Sequence, residues 1–281
     1  MTKQYNNTIK NEPMLWLDSL PRLTADSHKY TRGHTVIVGG YPMTGAARLS
    51  ALAAARIGSG LTTLLVPQVA FPIYASALTS IVVKPFDDAV TFNQLIEDAR
   101  ITSFLIGPGA GVNDETRAHT LQLLATNHPI VLDADAITVL QGDTDLLSQY
   151  LHANCILTPH EGEFKRLFRL TENRVLSAQQ AAASCGAIIV LKGSRTVIAS
   201  PNGQTIINEN APPTLATGGA GDVLAGMIAG LMAQGMSATD SACAAVWMHG
   251  KAATLFGLGL IAEDLLPLLP QVLTQLHQQQ T

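Results

Sequence analysis

The chain is short of the residues on which disulfide frames, nucleic-acid surfaces and secretory leaders depend. Its 281 residues include three cysteines, Cys155, Cys185 and Cys243. They are far apart, odd in number and form no CxxC pair. That excludes a disulfide framework and a zinc site and points to a reducing compartment. Each reads as a small buried hydrophobe. Charged residues supply 14% of the chain and the formal net charge is −4, so no basic surface exists for nucleic acid or an anionic membrane. The uncharged run Val223 to Thr239 is interrupted by glycine and falls short of the ~20 apolar residues of a membrane span; it reads as a buried helix. Met1 to Pro13 is polar and lacks the apolar centre of a signal peptide. The expected location is the cytoplasm. Two nucleotide fingerprints are missing as well. Neither Gly39-Gly40 nor Gly107–Gly111 matches GxGxxG, and no GK[ST] follows the second.

What is present is apolar and periodic. Hydrophobic residues make up 47% of the chain and mean hydropathy is +0.23, enough for a sizeable core. Residues 1–14 read as a loose tail. From Leu15 onward, strand-like and helix-like segments alternate. Short, nearly all-apolar runs at Thr35–Val38, Leu61–Val66, Phe104–Ile106, Ile130–Leu132, Cys155–Leu157 and Ile188–Leu191 read as parallel strands buried on both faces. Thr196–Ala199 and Thr205–Ile207, joined through Pro201-Asn202-Gly203, predict a hairpin. Helical segments are predicted at Ala46–Ile57, Asn113–Ala125, Asp135–Leu140, Glu161–Leu167, Asp222–Ala233, Ser237–Phe256 and Ala262–Leu276. This alternation predicts an α/β fold: a doubly wound, mostly parallel sheet with helices on both faces, in a single domain over residues 15–281. Ligands then belong at the carboxyl ends of the strands.

The most informative segment is Thr217-Gly218-Gly219-Ala220-Gly221-Asp222, followed by Val223, Leu224, Met227, Ile228 and Leu231 at helical spacing. The glycines sit at a helix N-terminus, where free N–H groups favour an anion. An acid beside an anion cradle is repelled by its ligand unless it has a task. Taking a proton from a hydroxyl that attacks a phosphate is such a task for Asp222; complementing the helix dipole is the plainer one.

The predicted strand ends carry the remaining candidates. Leu132 leads to Asp133-Ala134-Asp135, Leu157 to Thr158-Pro159-His160-Glu161-Gly162-Glu163, and Leu191 to Lys192-Gly193-Ser194. Asp133 stands at a strand tip, whereas Asp135 is either a helix N-cap or a member of the ligand edge. Thr158 to Glu161 reads as a capping box, with Thr158 as N-cap, Pro159 at N1 and Glu161 at N3. His160 then faces the ligand edge. Glu163 is either an ordinary first-turn acid or the holder of a hydrated Mg²⁺ near phosphates. Lys192 is either part of a surface turn or a phosphate ligand. His249-Gly250, in an alanine-rich helix, reads as a packed helix contact.

Taken in order, HKYTRG (His28–Gly33), TGAARLSALAAARIGSGL (Thr44–Leu61), GPGAG (Gly107–Gly111), LDADAIT (Leu132–Thr138), TPHEGEF (Thr158–Phe164), LKGSRTVIASPNG (Leu191–Gly203), ATGGAGDVLAG (Ala216–Gly226) and HG (His249–Gly250) resemble the ADP/ATP-dependent NAD(P)H-hydrate dehydratases, a branch of the ribokinase-like superfamily. The resemblance implies repair of hydrated NADH and NADPH. ADP, or ATP, phosphorylates the C6 hydroxyl of the S epimer, and loss of phosphate restores the reduced ring. It implies Asp222 as the base, with the N–H groups of Gly219, Ala220 and Gly221 on the transferring phosphoryl group. Lys192, Gly193, Ser194, Arg195, Thr196 and Gly221 would bind the adenine nucleotide, with Mg²⁺. Ala46, Gly109, Gly111, His160 and Asp222 would meet the hydrated dinucleotide. A homotetramer is implied too.

Two departures stand out: His28-Lys29-Tyr30 where many members have HKG, and His160-x-x-Glu163 where superfamily kinases often have Asn-x-x-Glu. In many organisms an epimerase domain precedes this one; the residues ahead of Leu15 leave no room for it, so a separate epimerase is the expected functional partner. The competing readings are a ribokinase-like kinase of a small vitamin precursor and a non-catalytic adenylate-binding sensor.

Overall fold

Apolar runs of three to seven residues build one ten-stranded sheet in this computed structural model, which describes residues 8–280. The strands are β1 (Thr8–Lys10), β2 (His34–Val38), β3 (Leu61–Pro67), β4 (Val82–Phe86), β5 (Ser103–Ile106), β6 (Ile130–Leu132), β7 (Cys155–Leu157), β8 (Ile188–Leu191), β9 (Thr196–Ala199) and β10 (Thr205–Asn208). The helices are α1 (Thr44–Arg56), α2 (Phe71–Ala77), α3 (Ala89–Ile96), α4 (Asp114–Ala125), α5 (Ala134–Thr138), α6 (Thr144–Tyr150), α7 (Glu161–Leu167), α8 (Arg174–Cys185), α9 (Ala220–Ala233), α10 (Ala238–Phe256) and α11 (Ala262–Gln278). The sheet runs β1-β10-β9-β8-β7-β6-β5-β2-β3-β4. From β8 to β4 all pairs are parallel; β9 is antiparallel to both its neighbours.

Alternation along the strands divides the core in two. Ile37, Leu64, Leu105, Val131 and Ile156 join the residues of α1, α9, α10 and α11 on one face. Val36, Val38, Phe104, Ile106, Ile130, Leu132 and Leu157 join those of α4, α7 and α8 on the other. Side chains of successive strand residues point to opposite faces. With helices on both faces, each strand is apolar throughout, which is why the runs were legible.

Where α1 meets α9 the helices nearly touch. A Cβ on Gly226 would be driven into the carbonyl oxygen of Ser50, so glycine permits an approach that alanine would block. This contact aligns the N-termini of α1 and α9 at the carboxyl edge of the sheet. The same edge carries the tips of the neighbouring parallel strands β8, β7, β6, β5 and β2.

Two expectations need correction. Residues 1–7 lie outside the described residues, but from Thr8 the expected loose tail is β1, paired in parallel with β10. Asn11 is buried behind it; its Nδ2 lies 2.9 Å from Asn208 Oδ1 and 2.8 Å from Cys243 O, and its Oδ1 accepts from Trp16 Nε1. Backbone pairing and one buried amide order a segment whose side chains are too polar to advertise a strand. Second, β4 and helices α2, α3, α6 and α8 are additional to the segments expected. Val82–Phe86 contains Lys84 and Pro85, which disguise a strand at the sheet edge.

Candidate active site

Gly219 caps α9 with φ +86, a left-handed conformation suited to glycine, and no side chain caps the helix. The first-turn N–H groups are therefore open to a ligand. Asp222 lies in that turn, half-buried. Burial, then Asp133, push its carboxyl up to about 7; Lys192 acts in the opposite direction, and Asp135 and Glu163 push further up. A carboxyl poised there changes charge near neutral pH, as a general base needs.

Lys192 follows β8 and turns toward α9. Its Nζ would lie 3.4 Å from a Cβ placed on Gly221. The same Nζ donates to Asp133 Oδ1 at 2.8 Å and lies 3.9 Å from Glu163 Oε2. Burial by itself depresses the ammonium, but Asp133, Glu163 and Asp222 outweigh it and hold its pKa above the usual value. Asp133 is 1% exposed and also accepts from Thr158 Oγ1 at 2.8 Å. Three adjacent strand tips thus supply an acid, a hydroxyl and an amine to one buried network. The sequence suggested Asp133 and Lys192 separately, without their pairing.

The lysine faces a cavity of about 380 Å³ whose lining includes Lys192, Gly193, Ser194, Thr196, Ala220 and Gly221. Pro212, Pro213, Leu215, Leu224 and Val246 supply apolar walls. Of the segment from Lys192 to Thr196, Arg195 is not in that lining; its guanidinium pairs with Glu209 at 2.9 Å in an exposed position. The proline pair Pro212-Pro213 is the sequence signal for this wall.

On the other side of Asp222 lie the N-terminus of α1 and the glycine loop after β5. Ser50 Oγ sits 3.2 Å from Ala46 O and 2.8 Å from Asp222 O, tying the two helices together. A Cβ on Gly109 would collide with Met43 O and stand 3.4 Å from Ala46 Cβ. Gly111 N donates to Asp135 Oδ2 at 2.8 Å, which gives Asp135 the task of holding this loop; it is not the N-cap of α5, a position taken by Asp133. Ala46, Gly109, Gly111 and Asp222 therefore gather around one edge. Ser50, which links Ala46 to Asp222, sits inside a sequence motif but has no signal of its own.

The capping box lies two residues later than the spacing predicts. His160 is the N-cap of α7: its Nδ1 accepts from Gly162 N and Glu163 N, and Glu163 Oε2 accepts from His160 N at 2.8 Å. Thr158 is instead spent on Asp133, and Glu161 pairs with Arg174 at 3.2 Å. His160 keeps an exposed ring. The other carboxylate oxygen of Glu163 lies 3.3 Å from His160 Nε2. Each of its oxygens thus has a contact within the cap. Among the described residues no group of three or more His, Cys, Asp or Glu could hold a metal ion, and no helix is long and apolar enough to cross a membrane. Cys155, Cys185 and Cys243 are free and buried, and burial pushes their thiols up.

This geometry has relatives. The profile of the NAD(P)H-hydrate dehydratase family matches residues 34–271. The ADP-dependent (S)-NAD(P)H-hydrate dehydratase of Neisseria meningitidis serogroup B is 36% identical over 262 residues, covering 86% of this chain and 85% of that protein. The bifunctional NAD(P)H-hydrate repair enzyme of Salinibacter ruber is 39% identical over 272 residues, 90% of this chain and 50% of that protein. The chain spans about half the length of the first such curated relatives it matches. Among solved structures, the ADP/ATP-dependent NAD(P)H-hydrate dehydratase of Bacillus subtilis, co-crystallised with ATP/Mg²⁺, superposes with a TM-score of 0.83 at 28% identity, covering 96% of this chain and 99% of that one. The fold is ribokinase-like.

Proposed function

The chain belongs to the NAD(P)H-hydrate dehydratase family, and from that premise we propose that it repairs hydrated nicotinamide nucleotides. The S epimer of NADHX or NADPHX and ADP enter; NADH or NADPH, AMP, phosphate and a proton leave. The observation that carries this reading is the Asp222 carboxyl, poised near 7 at the open N-terminus of α9 and backed by Lys192.

Asp222 takes the proton of the C6 hydroxyl as its oxygen attacks the terminal phosphorus of ADP. The N–H groups of the Gly219–Gly221 turn meet the charge that develops on the transferring group. Lys192 meets the same phosphate from β8. The ring nitrogen's electron pair then expels phosphate as the C6–O bond breaks. A proton leaves C5 with the departing phosphate as acceptor, so that the C5–H electrons form the regained C5=C6 double bond and the pair returns to nitrogen. Gly193, Ser194 and Thr196 line the nucleotide cavity beside Gly221; Ala46, Gly109, Gly111 and His160 face the dinucleotide. Arg195 serves the nucleotide from outside the cavity lining. Mg²⁺ enters this reading with the nucleotide's phosphates, and Glu163 would hold it through water.

We further propose a cytoplasmic homotetramer that relies on a separate epimerase for the other epimer. Mixing the purified protein with hydrated NADH, Mg²⁺ and ADP, and following the absorbance of reduced nicotinamide, tests the activity directly. Failure of both ADP and ATP to yield NADH refutes it.

A further inference from the structure

Arg174 falls between the motifs of the sequence, and its own helix does not explain it. It opens α8, at the end where a cation opposes the helix dipole. Asn173 caps that helix, its Oδ1 accepting from Leu176 N at 3.0 Å. The guanidinium turns instead to the segment after β8. Its Nη2 donates to Lys192 O at 2.9 Å and its Nη1 to Arg195 O at 3.3 Å. Those two carbonyls bracket Gly193 and Ser194, which line the 380 Å³ cavity; Arg174 does not line it. On its other side, Nε lies 3.2 Å from Glu161 Oε1. A Cβ on Gly193 would stand 2.6 Å from both Nη1 and Nη2. Gly193 has no left-handed φ, so the guanidinium, rather than the backbone, is what requires glycine there.

We propose that Arg174 is a positioning residue for nucleotide binding: its guanidinium fixes the Lys192–Arg195 turn in the shape that receives ADP, without touching the nucleotide. This rests on reading the cavity as the ADP site. The guanidinium is a planar fork of donors, so it meets two carbonyls at once and holds their separation. Carbonyl oxygens repel phosphate, and the fork occupies two of those in this turn. The peptide group is planar and trans, so with Lys192 O on Arg174 the Gly193 N–H points to the opposite side of the turn. Asp133 fixes the side chain of Lys192, and Arg174 fixes its backbone. A turn held in this way needs no reordering when the nucleotide arrives, and sparing that cost raises affinity.

Calorimetric titration with ADP and with hydrated NADH, each by itself, tests this on the unaltered protein, Arg174→Met, Gly193→Ala and the double variant. Methionine keeps an apolar stem and removes the donors. Arg174→Met should weaken ADP about tenfold, the loss expected for charge-assisted hydrogen bonds, and leave hydrated NADH within about twofold. Gly193→Ala should weaken ADP by a similar factor, because its methyl displaces the guanidinium from the turn. In the double variant the alanine should add almost nothing, since the group it displaces is already gone. An arginine that serves stability alone would lower the melting temperature and weaken both ligands alike; that result overturns the proposal. So does an Arg174→Met protein that binds ADP within about twofold of the original. A Gly193→Ala penalty that persists unchanged in the Arg174→Met background also overturns it, by placing the methyl directly against the nucleotide. If the unaltered protein binds no ADP, the reading of the cavity falls and the proposal with it; ADP binding that is indifferent to Arg174 overturns the proposal alone.

Discussion

Replacing Asp222 by asparagine should cost activity and add stability. The carboxyl has a pKa of 3.8 in the unfolded chain and about 7 in the fold, raised first by burial and then by Asp133. Between those values the folded state binds the proton that the unfolded state has lost. Stability therefore falls as pH rises through this window, and above about 7 the full penalty of a buried anion is present. The difference of about 3 pH units corresponds to ~4 kcal/mol at ~1.4 kcal/mol each. The site is only partly buried, and solvent screening reduces this to ~1–2 kcal/mol. Asparagine keeps the size and never ionises, so at pH 8 the variant should melt a few degrees higher, about 2–5 °C. The gain should vanish toward pH 4, where the native carboxyl is also neutral. The same change removes the proton acceptor, a loss worth ~10²–10⁴-fold in kcat. Thermal melts at pH 8 and pH 4, paired with single-turnover NADH formation, measure both effects. A variant with kcat within threefold of the original, or one that melts lower at pH 8, would refute the reading of Asp222 as a strained, buried base.

The remaining predictions concern the surroundings of Asp222. The rate should fall about tenfold per pH unit below about 7, where Asp222 holds its proton; a flat pH profile between 5 and 7 would assign the base elsewhere. Lys192→Ala should weaken ADP more than hydrated dinucleotide, and should move that acid limb to higher pH, because Lys192 is the cation that lowers Asp222; equal effects on both ligands in separate titrations would contradict this. One epimer of a racemic substrate should be consumed quickly and the remainder slowly until an epimerase is added, since in-line transfer to a fixed base serves one face of the ring; equal initial rates on the isolated epimers speak against it. Light scattering at micromolar concentration should report four chains, and a monomeric mass excludes the tetramer.

Sequence reasoning succeeded where local rules and burial agree. Ile130–Leu132, Cys155–Leu157 and Ile188–Leu191 are strands over the bounds their apolar runs indicate, because a strand covered on both faces has no polar side to hide it. The glycines and acid of Gly219–Asp222 announce a helix start by backbone chemistry alone. Reasoning failed where the partner lies far along the chain. Thr158 looks like an N-cap until Asp133 claims its hydroxyl, and the cap passes to His160 and Glu163.

From its own order of residues the chain determined a doubly wound sheet, a ligand edge at the strand tips and an acid beside an anion cradle. Those features depend on period, backbone freedom and neighbours a few positions apart. Tertiary structure alone decided that Lys192 is held by Asp133, 59 positions away, and that Ser50 joins Ala46 to Asp222, 172 positions on. It also raised Asp222 to about 7, because a pKa depends on burial and on charges that only packing brings near.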